Sequence, residues 1–322
     1  MKFRTRIFFA AATVCGAVNA LAQTWPAKPV KLVVGFAPGG AADYVARALA
    51  EPLGRALGQS IIIENRAGAG SSIAAEFVAK AAPDGYTMLI ASPSSISVNP
   101  ALNPKLGYSA RDLLPVGKVS FSPMVVAVHP ALGINSLQDL IAAAKKNPGK
   151  FNFASSGNGS APHLSAVLFA QMAGIDVVHV PFKGGGPAVQ SVVAGDTQFT
   201  LATPPSVLPL VQAGRLRALA VTTRARSPLV PQLPGMAEAG LPDYEMTFWY
   251  GFFVPVGTPL AILKRLFDAT ASALQRPEVR QAFAREGTEV AASKSPEDFA
   301  AFLAEDAKFW VRLVKEAKVA LE

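Results

Sequence analysis

Residues 30–50, VKLVVGFAPGGAADYVARALA, constrain the fold most: a largely apolar, β-branched run enters a Pro-Gly-Gly turn and passes directly into an amphipathic helical pattern. A short run of that kind fits a strand in a parallel sheet covered by helices on both faces. The turn is an anion cradle, because a helix N-terminus leaves backbone amides unpaired and carries partial positive charge, while glycine lets a ligand approach closely. Turns of the same kind recur at 155–163 and 183–187. The repetition predicts a small-anion site assembled from several strand-to-helix turns.

From residue 30 onward, short strand-like runs alternate with longer helical patterns, which reads as an α/β chain. Strands are expected at VKLVVGF, SIIIEN, YTMLIAS, 124–129, FNFASS, DVVHVPF, 198–202 and 216–222. Helices are expected at 41–57, from the RAGAGSS loop through 82, after Ser136, at 161–173, 187–194 and 260–274, and from Ser295. Ser136 with Asp139 makes a capping box, and Ser295-Pro296-Glu297-Asp298 gives an N-cap, a first-turn proline and an acid. Phe299, Phe302, Phe309, Leu313 and Ala317 then form a stripe that predicts a helix docked on the first domain. The proline-rich stretch 228–242 reads as a surface excursion.

Lys2, Arg4 and Arg6, the run IFFAAATVCGAV, and Ala20 and Ala22 form the pattern of a signal peptide over residues 1–22, cleaved before Gln23. That reading places the mature protein in the periplasm and removes Cys15, the one cysteine, and with it all disulfide and thiolate chemistry. No later run reaches the roughly 18 apolar residues of a spanning helix. Losing the three basic residues lowers the formal charge from +8 to +5. The remaining basic residues are scattered without interleaved aromatics, which argues against nucleic acid. Residues 23–322 are long for a single core and suit two domains.

Taken in order, the motifs WPAKPVKLVVGFAPGGAADYVAR, IENRAGAGSSIAAEFVAKAAPDGYTML, NPAL, SSGNGSAPHL, VPFKGGGPAV and GRLRALAVTTRARS resemble the Bug-type periplasmic receptors of tripartite tricarboxylate transporters. The resemblance implies two Rossmann-like lobes of the periplasmic binding protein type II-like class, closing on a carboxylated solute. It implies chain crossings near Pro123 and Trp249, so that 23–124 plus 249–322 form lobe 1 and 125–248 form lobe 2. It further implies a monomer that serves large and small permease subunits, without a cofactor; a sensor kinase is the alternative recipient.

Several residues are candidates for holding the solute. Phe36, Ala37, Gly39 and Gly40 would give backbone amides and an apolar wall, while Asp43 either accepts from a ligand donor or caps its helix. Ser92, Ser94 and Ser95 read as loop hydroxyls that contact a carboxylate or simply make a turn. Ser156, Gly157, Gly159 and Ser160 form the expected carboxylate nest. His163 would donate to ligand or only pack locally. Lys183 offers a cation, although the resemblance favours backbone binding through Gly184, Gly185 and Gly186. Thr203 would close the cleft in a segment, Ala202-Thr203-Pro204-Pro205, that is less polar than in relatives.

Enzyme readings find little support in the sequence. There is no G-x-S-x-G elbow for a hydrolase, no P-loop and no H-E-x-x-H, and His129, His163 and His179 lack metal-ligand spacing.

Overall fold

The computed structural model describes residues 25–317 except position 104. The segment read as a signal peptide lies outside the described residues, as does the side chain of Ala317. In chain order the first half comprises β1 (Val30–Val34), α1 (Ala41–Leu57), β2 (Ile61–Asn65), α2 (Ser72–Ala79), β3 (Thr87–Ala91), α3 (Asn99–Leu102) and β4 (Leu113–Pro123). A second unit follows with β5 (Val125–Val128), α4 (Leu137–Lys146), β6 (Phe151–Ser155), α5 (Ala161–Ala173), β7 (Val177–Pro181), α6 (Gly185–Ala194), β8 (Phe199–Ala202), α7 (Pro204–Gln212) and β9 (Arg217–Val221). The chain returns through β10 (Thr247–Pro255), α8 (Leu260–Gln275), α9 (Pro277–Arg285), β11 (Glu289–Val290) and α10 (Pro296–Ala317).

Two sheets result, six strands in the order β11-β4-β10-β3-β1-β2 and five in the order β7-β6-β8-β5-β9. β1 lies parallel to β2 and β3, and β6 parallel to β7 and β8, whereas β10 and β5 pair antiparallel with their neighbours. The period of two explains why β1 is nearly all apolar. Val30, Leu32 and Val34 join the core under α1, while Val33 joins Ala74, Ala75 and Val78 of α2 on the opposite face. In the second sheet Val126, Val128 and Leu201 share a core with Leu164 and Phe169 of α5, and Val125, Ala127 and Ala202 pack against Val189 and Val192 of α6.

The sheets are joined where β4 runs into β5 and where the chain re-enters β10. Thr222, fully buried, ties these two crossings together. Its hydroxyl donates to the Met246 carbonyl at 2.6 Å and accepts from the Met124 amide at 2.7 Å. Its own amide and carbonyl pair with the Met124 carbonyl and the Met246 amide.

Capping follows the sequence. Ser136 and Asp139 exchange side-chain and backbone hydrogen bonds at the start of α4, and Ser295 Oγ accepts from the Asp298 amide at the start of α10. α10 packs on β4, on the turn at Ser94–Val98 and on α5, so it touches both sheets' layers. Two expectations need correction. Ser94 and Ser95 stand in a short π-helical turn, Ser94–Val98, rather than a loop. The 228–242 stretch is no mere surface excursion, since Val230, Leu233, Met236 and Ala239 are buried and Gly235 bridges Val221. Its prolines hide an apolar spacing that serves the core.

Candidate functional site

Between the two sheets the N-terminal turns of four helices, α1, α5, α6 and α7, border one cavity of about 20 Å³. From α1 come Gly40, Ala41 and Ala42; from α5, Pro162; from α6, Gly185 and Ala188; from α7, Thr203 and Ser206. Phe36, Ser156, Thr200, Leu201, Ala202, Phe248 and Tyr250 complete the wall. Each helix start brings a partial positive charge, and among the described residues no ionisable side chain other than the Tyr250 phenol lines the space. That phenol is held neutral: burial pushes its pKa up, against a hydrogen bond from the Ala42 backbone. A small anion is favoured there by dipoles and neutral donors.

The cavity is far smaller than the roughly 300 Å³ at the low end of small-molecule sites. Entry therefore requires the walls to separate, and the contacts that hold them together are mostly backbone. The Ala37 amide donates to the Lys183 carbonyl at 2.9 Å across the cleft. A Cβ on Gly184 would lie 3.0 Å from the Ala37 nitrogen, and one on Gly186 would lie 3.2 Å from the Pro38 carbonyl oxygen. A second contact sets Gly70 against the 157–159 turn, where a Cβ on Gly70 would meet the Asn158 carbonyl oxygen at 2.6 Å. At a third, the Ala161 amide donates to Ser94 Oγ at 2.9 Å.

Asp43 is buried and spends both oxygens within its own layer. Oδ2 accepts from the Gly39 amide at 3.1 Å and from Arg47 Nε at 2.9 Å, and Oδ1 accepts from Asn65 Nδ2 at 3.0 Å. Asn65 also donates to the Phe36 carbonyl. Burial pushes the carboxyl up, but the hydrogen bonds from Arg47, Gly39 and Asn65 and the Arg47 charge outweigh it and hold it below the usual carboxylate range. This geometry belongs to the capping alternative.

The 155–163 turn is likewise internally bonded. The Gly157 amide donates to Ser155 Oγ, the Gly159 amide to His163 Nδ1, and the His163 amide to Ser160 Oγ. Ser155 Oγ is 2.6 Å from His179 Nε2, and the His163 and His179 rings stack with centroids 3.8 Å apart. Burial takes His163 down to about 4, and burial together with His163 lowers His179 further. Among the described residues no group of three or more His, Cys, Asp or Glu is placed to hold a metal ion, and no helix is long and apolar enough to cross a membrane.

Residues 45–319 match the model of the tripartite tricarboxylate transporter family receptors. The chain belongs to this family. It is 38% identical over 319 residues to protein BugT of Bordetella pertussis, covering 98% of this chain and 97% of that one. Among solved structures, R. palustris Rpa4515 with adipate is 35% identical, with a TM-score of 0.88 over 92% of this chain and 99% of that one. MatC from Rhodopseudomonas palustris with bound malate is 32% identical, with a TM-score of 0.85 over 90% of this chain and 100% of that one. The two-lobe α/β architecture is that of periplasmic binding proteins.

In this receptor, Phe36, Gly40, Ser156, Gly185 and Thr203 of the sequence candidates meet at the cavity wall. Ala37, Gly39, Asp43, Ser92, Ser94, Ser95, Gly157, Gly159, Ser160, His163, Lys183 and Gly184 do not line it. Lys183 is exposed and takes part through its carbonyl. Ser92 and Ser95 are fully buried, and neither hydroxyl has a protein partner. Sequence reading missed Ser206, Phe248 and Tyr250. The signal for the last two was the alternation in TFWYGFF, which sends Phe248 and Tyr250 to the cavity and Trp249 to the opposite face, where its Nε1 bonds Asp306.

Proposed function

We propose that this receptor works in the periplasm, where it reversibly binds a small carboxylate lacking an amino group and presents it to the membrane permease of a tripartite tricarboxylate transporter. The observation that carries the reading is the meeting of four helix N-termini at a cavity where, among the described residues, no ionised side chain stands. A ligand ammonium would find no carboxylate there, because Asp43 does not line the cavity and its carboxylate accepts from Gly39, Arg47 and Asn65 in its own layer. The adipate and malate held by the two R. palustris relatives support the acid class.

Residues 1–22 act as the export signal. Lobe 1 (23–124 plus 249–322) and lobe 2 (125–248) of the monomer rotate about the crossings, and closure buries the acid; no bond is made or broken. Phe36, Gly40, Ser156, Gly185 and Thr203 touch the acid, while Gly39, Gly157 and Gly184 let the lobes meet.

A thermal-shift panel of mono-, di- and tricarboxylates alongside amino acids tests this. At a ligand concentration near a thousand times Kd, stabilisation of about 4 kcal/mol raises Tm by roughly 10 °C. A shift with a carboxylate and none with amino acids is expected. Shifts with amino acids alone would overturn the reading.

A further inference from the structure

We infer that Ser206 is a specificity-determining residue of this receptor, its hydroxyl donating to the ligand carboxylate in the corner between the first turns of α6 and α7. The inference rests on the carboxylate reading above and deepens it.

α7 begins with Thr203 at its N-cap and Pro204 and Pro205 in its first two positions. Prolines carry no amide hydrogen, so the helix end keeps its dipole and loses two of its usual donors. The next amide, that of Ser206, is spent on the Thr203 carbonyl at 3.0 Å. What this turn still offers beyond its N-cap is the Ser206 hydroxyl. That residue is 7% exposed, its Oγ is buried without a protein partner, and it lines the cavity.

A buried hydroxyl left unbonded works against folding, and of the described serines whose buried hydroxyl has no protein partner only Ser206 lines the cavity, where an acceptor can reach it. The electrostatics specify the acceptor. Two helix N-termini converge at this corner, because a Cβ placed on Gly185, the first residue of α6, would sit 3.0 Å from Ser206 Oγ. An anionic oxygen is favoured by both dipoles, with Gly185 leaving room for it.

The test is calorimetric titration of the mature protein with acetate, butyrate, malate, adipate and benzoate, in wild type, Ser206→Ala and Gly185→Ala. Ser206→Ala deletes the donor without adding volume, and Gly185→Ala keeps the hydroxyl but fills the corner in front of it with a methyl 3.0 Å away. Each variant should weaken the best-bound acid at least about tenfold, with the Tm of the protein without acid unchanged. Should wild type bind an acid that either folded variant binds within about twofold of it, Ser206 is not its donor and the inference alone falls. If wild type takes up none of the five acids, the carboxylate reading and the inference fall together.

Discussion

At the lobe 1 lip of the cleft the polar groups are already engaged: Asp43 holds Gly39, Arg47 and Asn65, and Asn65 in turn holds the Phe36 carbonyl. On the lobe 2 side, glycine and proline strip the α6 and α7 turns of side chains and amides and leave a neutral hydroxyl, Ser206 Oγ, without a partner. The charged residue builds the lip, and the uncharged one faces the cavity. An anion site made this way avoids the cost of burying a formal cation and draws its field from helix ends.

The largest effect should come from preventing the two sides from meeting. Gly186 sits in the first turn of α6, and a side chain there meets the Pro38 and Gly39 backbone of the other lobe. Gly186→Val should therefore lower carboxylate affinity by at least about 100-fold through loss of the closed state, with Tm nearly unchanged. Wild-type affinity in that variant would show that closure is not needed.

Next, Asp43→Ala should destabilise the fold by about 1–2 kcal/mol in urea titrations, because it removes the acceptor shared by the Gly39 amide, Arg47 and Asn65, donors that are exposed or half-buried and can turn to water. Acid preference should persist wherever the variant is folded; gained binding of amino acids or lost acid selectivity would mean Asp43 reads the ligand after all.

A smaller effect tests the stacked imidazoles behind the lobe 2 turn. His163 and His179 both bind protons less readily in the folded chain than unfolded, where the ordinary value is 6.5. Their contribution to stability is present above the unfolded value of 6.5 and is lost as the pH falls toward the folded values of about 4 and about 3, by about 2 kcal/mol for each histidine between pH 7 and 5. Unfolding measured across that range in wild type and His163→Phe should show the slope reduced in the variant.

The smallest is Lys183→Ala. With its side chain exposed and its carbonyl making the cross-cleft bond, affinity should change by less than about twofold at physiological salt. A tenfold loss would restore the cation to the site.

The parallel β/α units were legible because burial on both faces forces near-continuous apolar strands, and because Ser136–Asp139 and Ser295–Asp298 announce their helices. β4 and β10 were not read as elements, since long-range antiparallel pairing leaves no local mark. At the site, the glycine turns were visible as turns, but whether an amide faces the cavity or its own loop depends on φ and on distant partners. Gly157, at φ +127°, directs its amide to Ser155, a fact no spacing encodes. Ser206 was overlooked for a related reason: two prolines disguise the start of α7, and a serine after them looks like any turn residue.

Thr222 binds both crossing segments with one buried residue, through its hydroxyl as well as its backbone. Because Thr222 continues the β4–β10 ladder past its last pair, Thr247 with Pro123, the joint would favour turning over sliding, and the path between open and shut would be narrow. Acids of different length or shape would then drive the two halves along the same arc. The outer face offered to a membrane partner would report that something is held without reporting what, leaving discrimination among acids to the chamber and none of it to the handover.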